Sequence, residues 1–259
     1  MIAQVFFDRT MPVLQVSRET FALLGQYRFA RIDGPTFVLS DAPGAEVATP
    51  VPAPLTAQDE TGHDIALSPM DRALLAGEHG KAAQVAMRLV LKMAELQGAA
   101  RFIDVSQAHI DGCIYIGPAS LRFAQMLRDL GAKVRVPTTL NAISVDRRRW
   151  RDLGVDATLG EPASALADTY TDMGARPTFT CAPYLLDSAP AFGAQIGWAE
   201  SNAVVYANSV LGARTMKYPD FMDICIPITG RAPYAGCHLE EARRATDPLA
   251  GGMSKRADD

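Results

Sequence analysis

Hydrophobic and polar positions change rhythm along this 259-residue chain, and the changes divide it. Near the start, the short apolar runs Val13–Val16 and Phe29–Ile32 read as strands, with the polar-started segment Ser17–Leu24 between them as a short helix. From Ser40 the stretch DAPGAEVATPVPAPLTAQDETG is rich in Pro, Ala and Gly and has no apolar period, which is the composition of a linker. Helix and strand signals then alternate. Ser68 as N-cap, Pro69 at the first helical position and Asp71 in the first turn predict a helix over Met70–Ala76. Gly77 and Gly80 break it, and a longer helix, Ala82–Gln97, follows with Val85, Leu89, Lys92 and Leu96 on one face and Gly98 at its end. Phe102–Val105 reads as a buried strand, Pro118–Leu130 as a helix closed by Gly131, and Val134–Pro137 as the next strand. Strand, helix, strand at this spacing predicts right-handed βαβ units, a parallel sheet and an α/β fold with flanking helices. Trp150–Gly160, Pro162–Met173, Thr178–Cys181 and Ala199–Leu211 continue the alternation, and no internal repeat is visible.

Composition narrows the function classes. Hydrophobic residues make up 48% and charged ones 21%, the profile of an ordinary globular protein able to bury a core without disulfides. A net charge of -4 gives no electrostatic footprint for nucleic acid, and Arg147, Arg148, Arg149 and Arg151 read as a solvated loop. No run of about 18 apolar residues predicts a membrane span. The opening MIAQVFFDRTMPV lacks the basic and apolar regions of a secretory signal. Cys113, Cys181, Cys225 and Cys237 are too scattered for a disulfide scaffold, so the expected compartment is the reducing cytoplasm.

Polar residues gather at the ends of the predicted strands, where parallel α/β sheets bind ligands. Three clusters do so: Ser106–Cys113, Pro137–Asn141 and Thr180–Tyr184. Each has a plain alternative. His109 fits a hydrogen-bonded structural histidine as well as a catalytic one, although Asp111 and Cys113 beside it favour chemistry. Thr138, Thr139 and Asn141 could cap a following helix. Cys181 and Cys225 could be small buried hydrophobes, since no CxxC or HxxxH spacing marks a metal site. The stretch from Gly197 to Thr215 places Ser201, Asn202, Asn208, Ser209 and Arg214 among small apolar neighbours, where a solvated helix would carry Lys and Glu. Short neutral donors suit either a closed polar site or a helix whose Ser and Asn satisfy one another.

The segments LSPMDRALLAGEHG, SQAHIDGCIY, KVRVPTTLNAISVD, MGARPTFTCAPYLL, PAFGAQIGWAESNAVVYANSVLGART and YPDFMDICIPITGRAPYAGCH, in order from Leu67 to His238, closely resemble the aconitase X family. The resemblance implies an aconitase-superfamily α/β fold and dehydration of a small hydroxy acid, assisted by iron or an iron–sulfur cluster ([2Fe–2S] or [4Fe–4S]) acting as a Lewis acid. By position, Cys181 in TCAPY and Cys225 in DICIPITG are implied metal ligands, with Cys113 in AHIDGC as a third. His109 and Ser201 are the implied catalytic residues, and Thr139, Asn141, Asn202 and Ser209 the implied substrate-binding ones. Family members include cis-3-hydroxy-L-proline dehydratases and mevalonate 5-phosphate dehydratases. The fused form and the AHIDGC wording are more similar to the hydroxyproline branch, which yields 1-pyrroline-2-carboxylate. The passage FFDR…VSRETFALL…FARIDG resembles the end of the family's small swivelling domain. The expected division is therefore a small-domain remnant over 1–39, a linker over 40–66, the N-terminal portion of a catalytic domain over 67–245 and a polar tail over 246–259. The family's large part extends beyond these motifs, so a complementary small or C-terminal subunit, or an inactive fragment, is the third expectation.

Overall fold

The computed structural model describes residues 65–243, together with the backbones of four short strands before them. The chain divides into two units, Met1–Thr56 and Ala57–Asp259. In the first, β1 (Ile2–Val5) pairs antiparallel with β2 (Leu14–Ser17), and β3 (Phe29–Asp33) pairs antiparallel with β4 (Thr36–Ser40). The two expected strands are found within a residue of their predicted places as β2 and β3. The expected helix Ser17–Leu24 lies outside the described residues, apart from Ser17 in β2, and so do most of the expected linker and all of the tail.

In the second unit, α1 (Pro69–Ala76) starts as its sequence dictates. Asp71 N–H donates to Ser68 Oγ at 3.2 Å and Ser68 N–H to Asp71 Oδ2 at 2.7 Å, a reciprocal capping box, and Gly77 ends the helix at φ 85°. Helix α2 (Lys81–Leu96) buries Ala83, Ala86, Met87, Val90 and Ala94. The face of Val85, Leu89, Lys92 and Leu96 runs from half-buried at Val85 and Leu89 to exposed at Lys92 and at Leu96, which is 82% exposed. Alanines decide the matter. They let α2 lie close against α6 (Met222–Thr229), in which every residue from Asp223 to Thr229 is buried.

The α/β class holds; Phe102–Val105 is a strand as expected, but the parallel sheet is built from segments that follow the expected strands. Strand β5 (Phe102–Asp104) pairs antiparallel with β9 (Arg231–Pro233). The parallel sheet consists of β7 (Thr138–Leu140), β6 (Ala108–Ile110) and β8 (Gly197–Trp198), in that order with β6 central. Val134–Pro137 forms no ladder, and neither does Thr178–Cys181, which touches the sheet through Thr180 N–H donating to Leu140 O at 3.1 Å. The segments expected as loops carry the parallel strands, because buried His109, Thr138 and Thr139 disguise them as polar. Each of these side chains has a hydrogen-bond partner, which is what lets it occupy a core strand.

Helices flank this sheet. Helix α3 (Pro118–Asp129) ends before Gly131 as expected, and α4 (Ala157–Asp172) runs unbroken through Pro162 instead of splitting there. Gly160 is required in α4, since a Cβ would fall 2.3 Å from the Trp150 ring. Helix α5 (Ser201–Tyr206) continues into a π-helical turn, Ala207–Leu211, and stops at Gly212. A small core of Ile196, Trp198, Ala203, Ala207 and Ala213 lies beneath it. Arg231 joins three elements: its Nε donates to Asp71 Oδ1 at 2.7 Å and its Nη1 to Asp104 Oδ1 at 2.6 Å. Among the described residues, no helix is long and apolar enough to cross a membrane.

Candidate functional site

The site grows from the register of the parallel sheet. His109 pairs with Thr139 on one side and Trp198 on the other. Side chains two residues apart share a face, so Asp111 and Asn141 follow on the face of His109 and Thr139, about 7 Å further along. The backbone carries this pairing on, with Asn141 N–H donating to Ile110 O at 3.0 Å.

His109 is fully buried, with the Trp198 ring edge-on at 6.1 Å. Its Nδ1 lies 2.8 Å from Thr139 Oγ1, and its Nε2 lies 3.3 Å from Glu200 Oε2. Thr139 directs its single hydroxyl proton to Ala108 O at 3.4 Å, which makes Nδ1–H the donor to Thr139. Nε2 then faces the Glu200 carboxylate within hydrogen-bond reach. Such a pair can take a proton from a neighbour and give it back.

On the next rung, Asn141 Nδ2 donates to Asp111 Oδ1 at 2.8 Å, and Lys217 Nζ donates to Asp111 Oδ2 at 2.7 Å. The ammonium of Lys217 stays 40% exposed, open to an anionic ligand. Behind them Asp223 Oδ2 accepts the backbone N–H groups of Asp111 and Gly112 at 2.9 and 2.6 Å and fixes the turn after β6. A Cβ on Gly112 would crowd that carboxylate at 3.1 Å. Burial, helped by Asp220, raises the Asp223 carboxyl to about 7. A cavity of about 270 Å³ is lined by Ala142, Ile143, Arg148 and Phe179, residues that follow Asn141 and precede Thr180 in the chain. A larger hollow, near 350 Å³, lies elsewhere, between the start of α2 and residues 130–135.

The remaining expected residues divide. Ser201 and Asn202 open α5 beside Glu200, and Asn202 Nδ2 donates to Cys181 O at 2.8 Å. Ser209 sits about 12 Å further along the helix, outside this group. Thr138 and Thr139 cap no helix; both lie within β7. Cys181 is exposed, and partial desolvation and then the charge of Glu200 push its thiol up. Cys113 is buried and donates to Asn141 O at 3.2 Å, and burial followed by the Asp223 charge raises its thiol well above the ordinary range. Cys225 is buried in α6 and donates to Phe221 O at 3.1 Å, and burial raises it too. A metal needs thiolates. Cys113 and Cys225 are buried and donate to carbonyls while Cys181 is exposed, and no group of three His, Cys, Asp or Glu side chains among the described residues is arranged to hold a metal ion. Cys113, Cys181 and Cys225 do not fit together as one metal centre.

Sequence reasoning missed Glu200, Lys217 and Asp223, and noted Asp111 only as a neighbour of His109. Glu200 left a usable signal, being the single acidic residue between Phe192 and Thr215 and standing where a strand gives way to a helix. The others left none, because their roles depend on pairings across more than 100 residues.

Comparison with known proteins fits this geometry. The family model for the aconitase X first domain matches residues 64–241. Cis-3-hydroxy-L-proline dehydratase of Pseudomonas aeruginosa is 61% identical over 94% of this chain and 41% of its own length. The phosphomevalonate dehydratase large subunit of Methanothermobacter thermautotrophicus is 39% identical over 66% of this chain and 43% of its own. The crystal structure of Thermococcus kodakaraensis aconitase X in its holo form superposes with a TM-score of 0.64 at 36% identity, covering 70% of this chain and 45% of that one. The chain thus spans about two fifths of the length of these relatives.

Proposed function

The chain belongs to the aconitase X family, and from that premise we propose that it supplies the proton-handling part of a hydro-lyase acting on a small hydroxy acid, with cis-3-hydroxy-L-proline as substrate. The observation that carries this reading is the Thr139–His109–Glu200 chain, with Asp111, Asn141 and Lys217 on the next rung. Glu200 is the group that meets the substrate. It removes the proton from the carbon bearing the carboxylate, and the electron pair of that C–H bond forms the carbon–carbon double bond as the adjacent C–O bond breaks. The hydroxyl leaves as water by taking a proton from solvent, to which Glu200 afterwards returns the one it removed. The enamine then tautomerises to 1-pyrroline-2-carboxylate. His109 positions Glu200 and shares its proton, and Thr139 fixes the imidazole. Lys217 holds the substrate carboxylate, while Asn141 and Ser201 bound the pocket. Asn202 orients the Cys181 segment, and Ser209 has no part in this group.

An iron centre, where one is bound, would draw electrons from the leaving hydroxyl. Cys181 is the accessible thiol that this chain can offer it, and no step above is routed through iron. The free thiols, two of them buried, support the cytoplasm as the compartment.

The relative at 61% identity favours hydroxyproline over mevalonate 5-phosphate, whose relative stands at 39%. The test offers both compounds to the chain co-expressed with the part of the Pseudomonas aeruginosa dehydratase outside the match, and follows products by NMR. The imine from hydroxyproline is expected. Turnover of mevalonate 5-phosphate alone would transfer the proposal to that substrate.

A further inference from the structure

Residues 201–213, SNAVVYANSVLGA, include no charged side chain, although Ser201, Asn202, Val205, Ser209 and Val210 are exposed. Val205 and Val210 are 64% and 62% exposed. A helix face meant for water normally carries Lys or Glu at such positions. Two neighbours enlarge the patch. Leu185, 76% exposed, belongs to the 3₁₀ turn Pro183–Leu185, which packs on α5 through the stacked rings of Tyr184 and Tyr206. Phe192, 87% exposed, lies over Gly212, where a Cβ would fall 2.4 Å from its ring. Four large apolar side chains are thus exposed on and beside one helical segment that has no charged residue of its own, more than the scattered exposure usual for a monomer.

What covers this surface follows from the chain's own course and from its relatives. Arg243, at the end of the described residues, is bound to the same helix. Its Nη1 donates to Asn208 Oδ1 at 2.7 Å and its Nη2 to Asn208 O at 2.9 Å. The matching family model is named a first domain, and more than half of the Pseudomonas aeruginosa relative lies outside the match. The patch also adjoins the site, because α5 begins at Ser201, next to Glu200.

We propose that the outer face of α5 and its π-helical turn, with Leu185 and Phe192, is the seat of the polypeptide that makes up the rest of the relatives' length, which docks through an uncharged, largely apolar surface of its own. The proposal does not depend on which substrate is turned over. Docking here places that polypeptide against the entrance beside Glu200.

The test is peptide-resolved maleimide labelling of Val205→Cys and Val210→Cys, with Leu96→Cys as the exposed control on α2. Each is made in the isolated chain and in a chimera that replaces the matched region of the Pseudomonas aeruginosa dehydratase. Both α5 positions should label as fast as Leu96→Cys in the isolated chain and at least tenfold more slowly in the chimera. Equal labelling in the chimera would overturn the proposal. Protection in the isolated chain, rising with its concentration, would overturn it too, in favour of a second copy as the occupant. A Val205→Glu, Val210→Glu double variant guards against a folding artefact: its isolated chain should melt as the wild type does, while the chimera carrying it loses the protection of Ser209-containing backbone amides in hydrogen exchange. Retention of that protection would count against docking.

Discussion

Two corners of the second unit bury ionisable groups, and they do so in opposite ways. At the junction of α1, β5 and β9, the Arg231 guanidinium meets Asp71 through two bonds, at 2.7 and 3.2 Å, and Asp104 through a third. Opposite charges and fixed geometry leave nothing there to exchange with a ligand. On the face of the parallel sheet, His109 Nε2 meets Glu200 at 3.3 Å, Asp111 shares its carboxylate between Asn141 and Lys217, and Asp223 is raised by burial. Groups are satisfied there too, but buried Asp223 is held by backbone N–H groups and not by a cation. The first corner holds the fold; in the second, Asp223 is poised to change protonation. Satisfaction of hydrogen bonds alone does not separate a structural cluster from a reactive one. What holds the buried carboxylate does.

The widest gap between the corners should appear when each loses its central group. Arg231→Met strands buried Asp71 and should lower unfolding free energy by about 3–5 kcal/mol in urea denaturation, the largest effect expected. A loss below about 1 kcal/mol would make the two corners energetically alike.

A third buried group gives the comparison a pH axis. His238 Nδ1–H donates to Gln195 Oε1 at 2.6 Å and Nε2 accepts from the Tyr218 hydroxyl, and burial followed by the charge of Arg214 lowers its pKa to about 4. Its folded value lies below the ordinary 6.5, so the native state binds fewer protons. The stability it contributes is present above pH 6.5 and lost as pH falls towards 4. On acidification from pH 6.5 to 4, His238→Gln should therefore lose about 3 kcal/mol less than the wild type. Parallel curves for the two proteins would refute the buried neutral imidazole.

At the reactive corner the effect should fall on rate. Glu200→Gln keeps the shape and should reduce hydroxyproline turnover by about 10²-fold, near 2.7 kcal/mol in the barrier, while stability shifts by less than about 1 kcal/mol. A large stability loss with unchanged rate would return Glu200 to the structural class. The smallest effect concerns the thiols. Cys181→Ser should change stability by less than about 0.5 kcal/mol and lower the iron in anaerobic preparations, whereas Cys113→Ser and Cys225→Ser should leave iron unchanged. Equal iron loss in all three would restore the set that the geometry separates.

Local rules were readable where the residues that make them are adjacent. Ser68, Pro69 and Asp71 announced the cap of α1, and Gly131 the end of α3. Two kinds of burial hid the rest. The parallel strands carry His109, Thr138 and Thr139, so an apolar-run criterion selected Val134–Pro137 instead. Helix α6 is buried on every side and contains Pro227, so it shows neither an amphipathic period nor an unbroken helical stretch. For the site, family motifs drew attention to His109, Thr139 and Asn141, and the register then showed why they stand together. The same motifs ranked Cys181 and Cys225 together ahead of Cys113, although Cys181 is exposed and Cys225 is buried as Cys113 is.

The register that assembles the site also sets when it can exist. His109 finds Thr139 across 30 residues and Glu200 across 91. Closing the longer loop costs only about 1 kcal/mol more than closing the shorter, so distance along the chain weighs little on the finished structure. It weighs on time. Contacts of long sequence separation form late, and a chain emerging from the ribosome can complete helices α1 to α4 before Glu200 has been synthesised. The His109–Glu200 pair is thus a product of the last stages of folding, assembled on helices already in place.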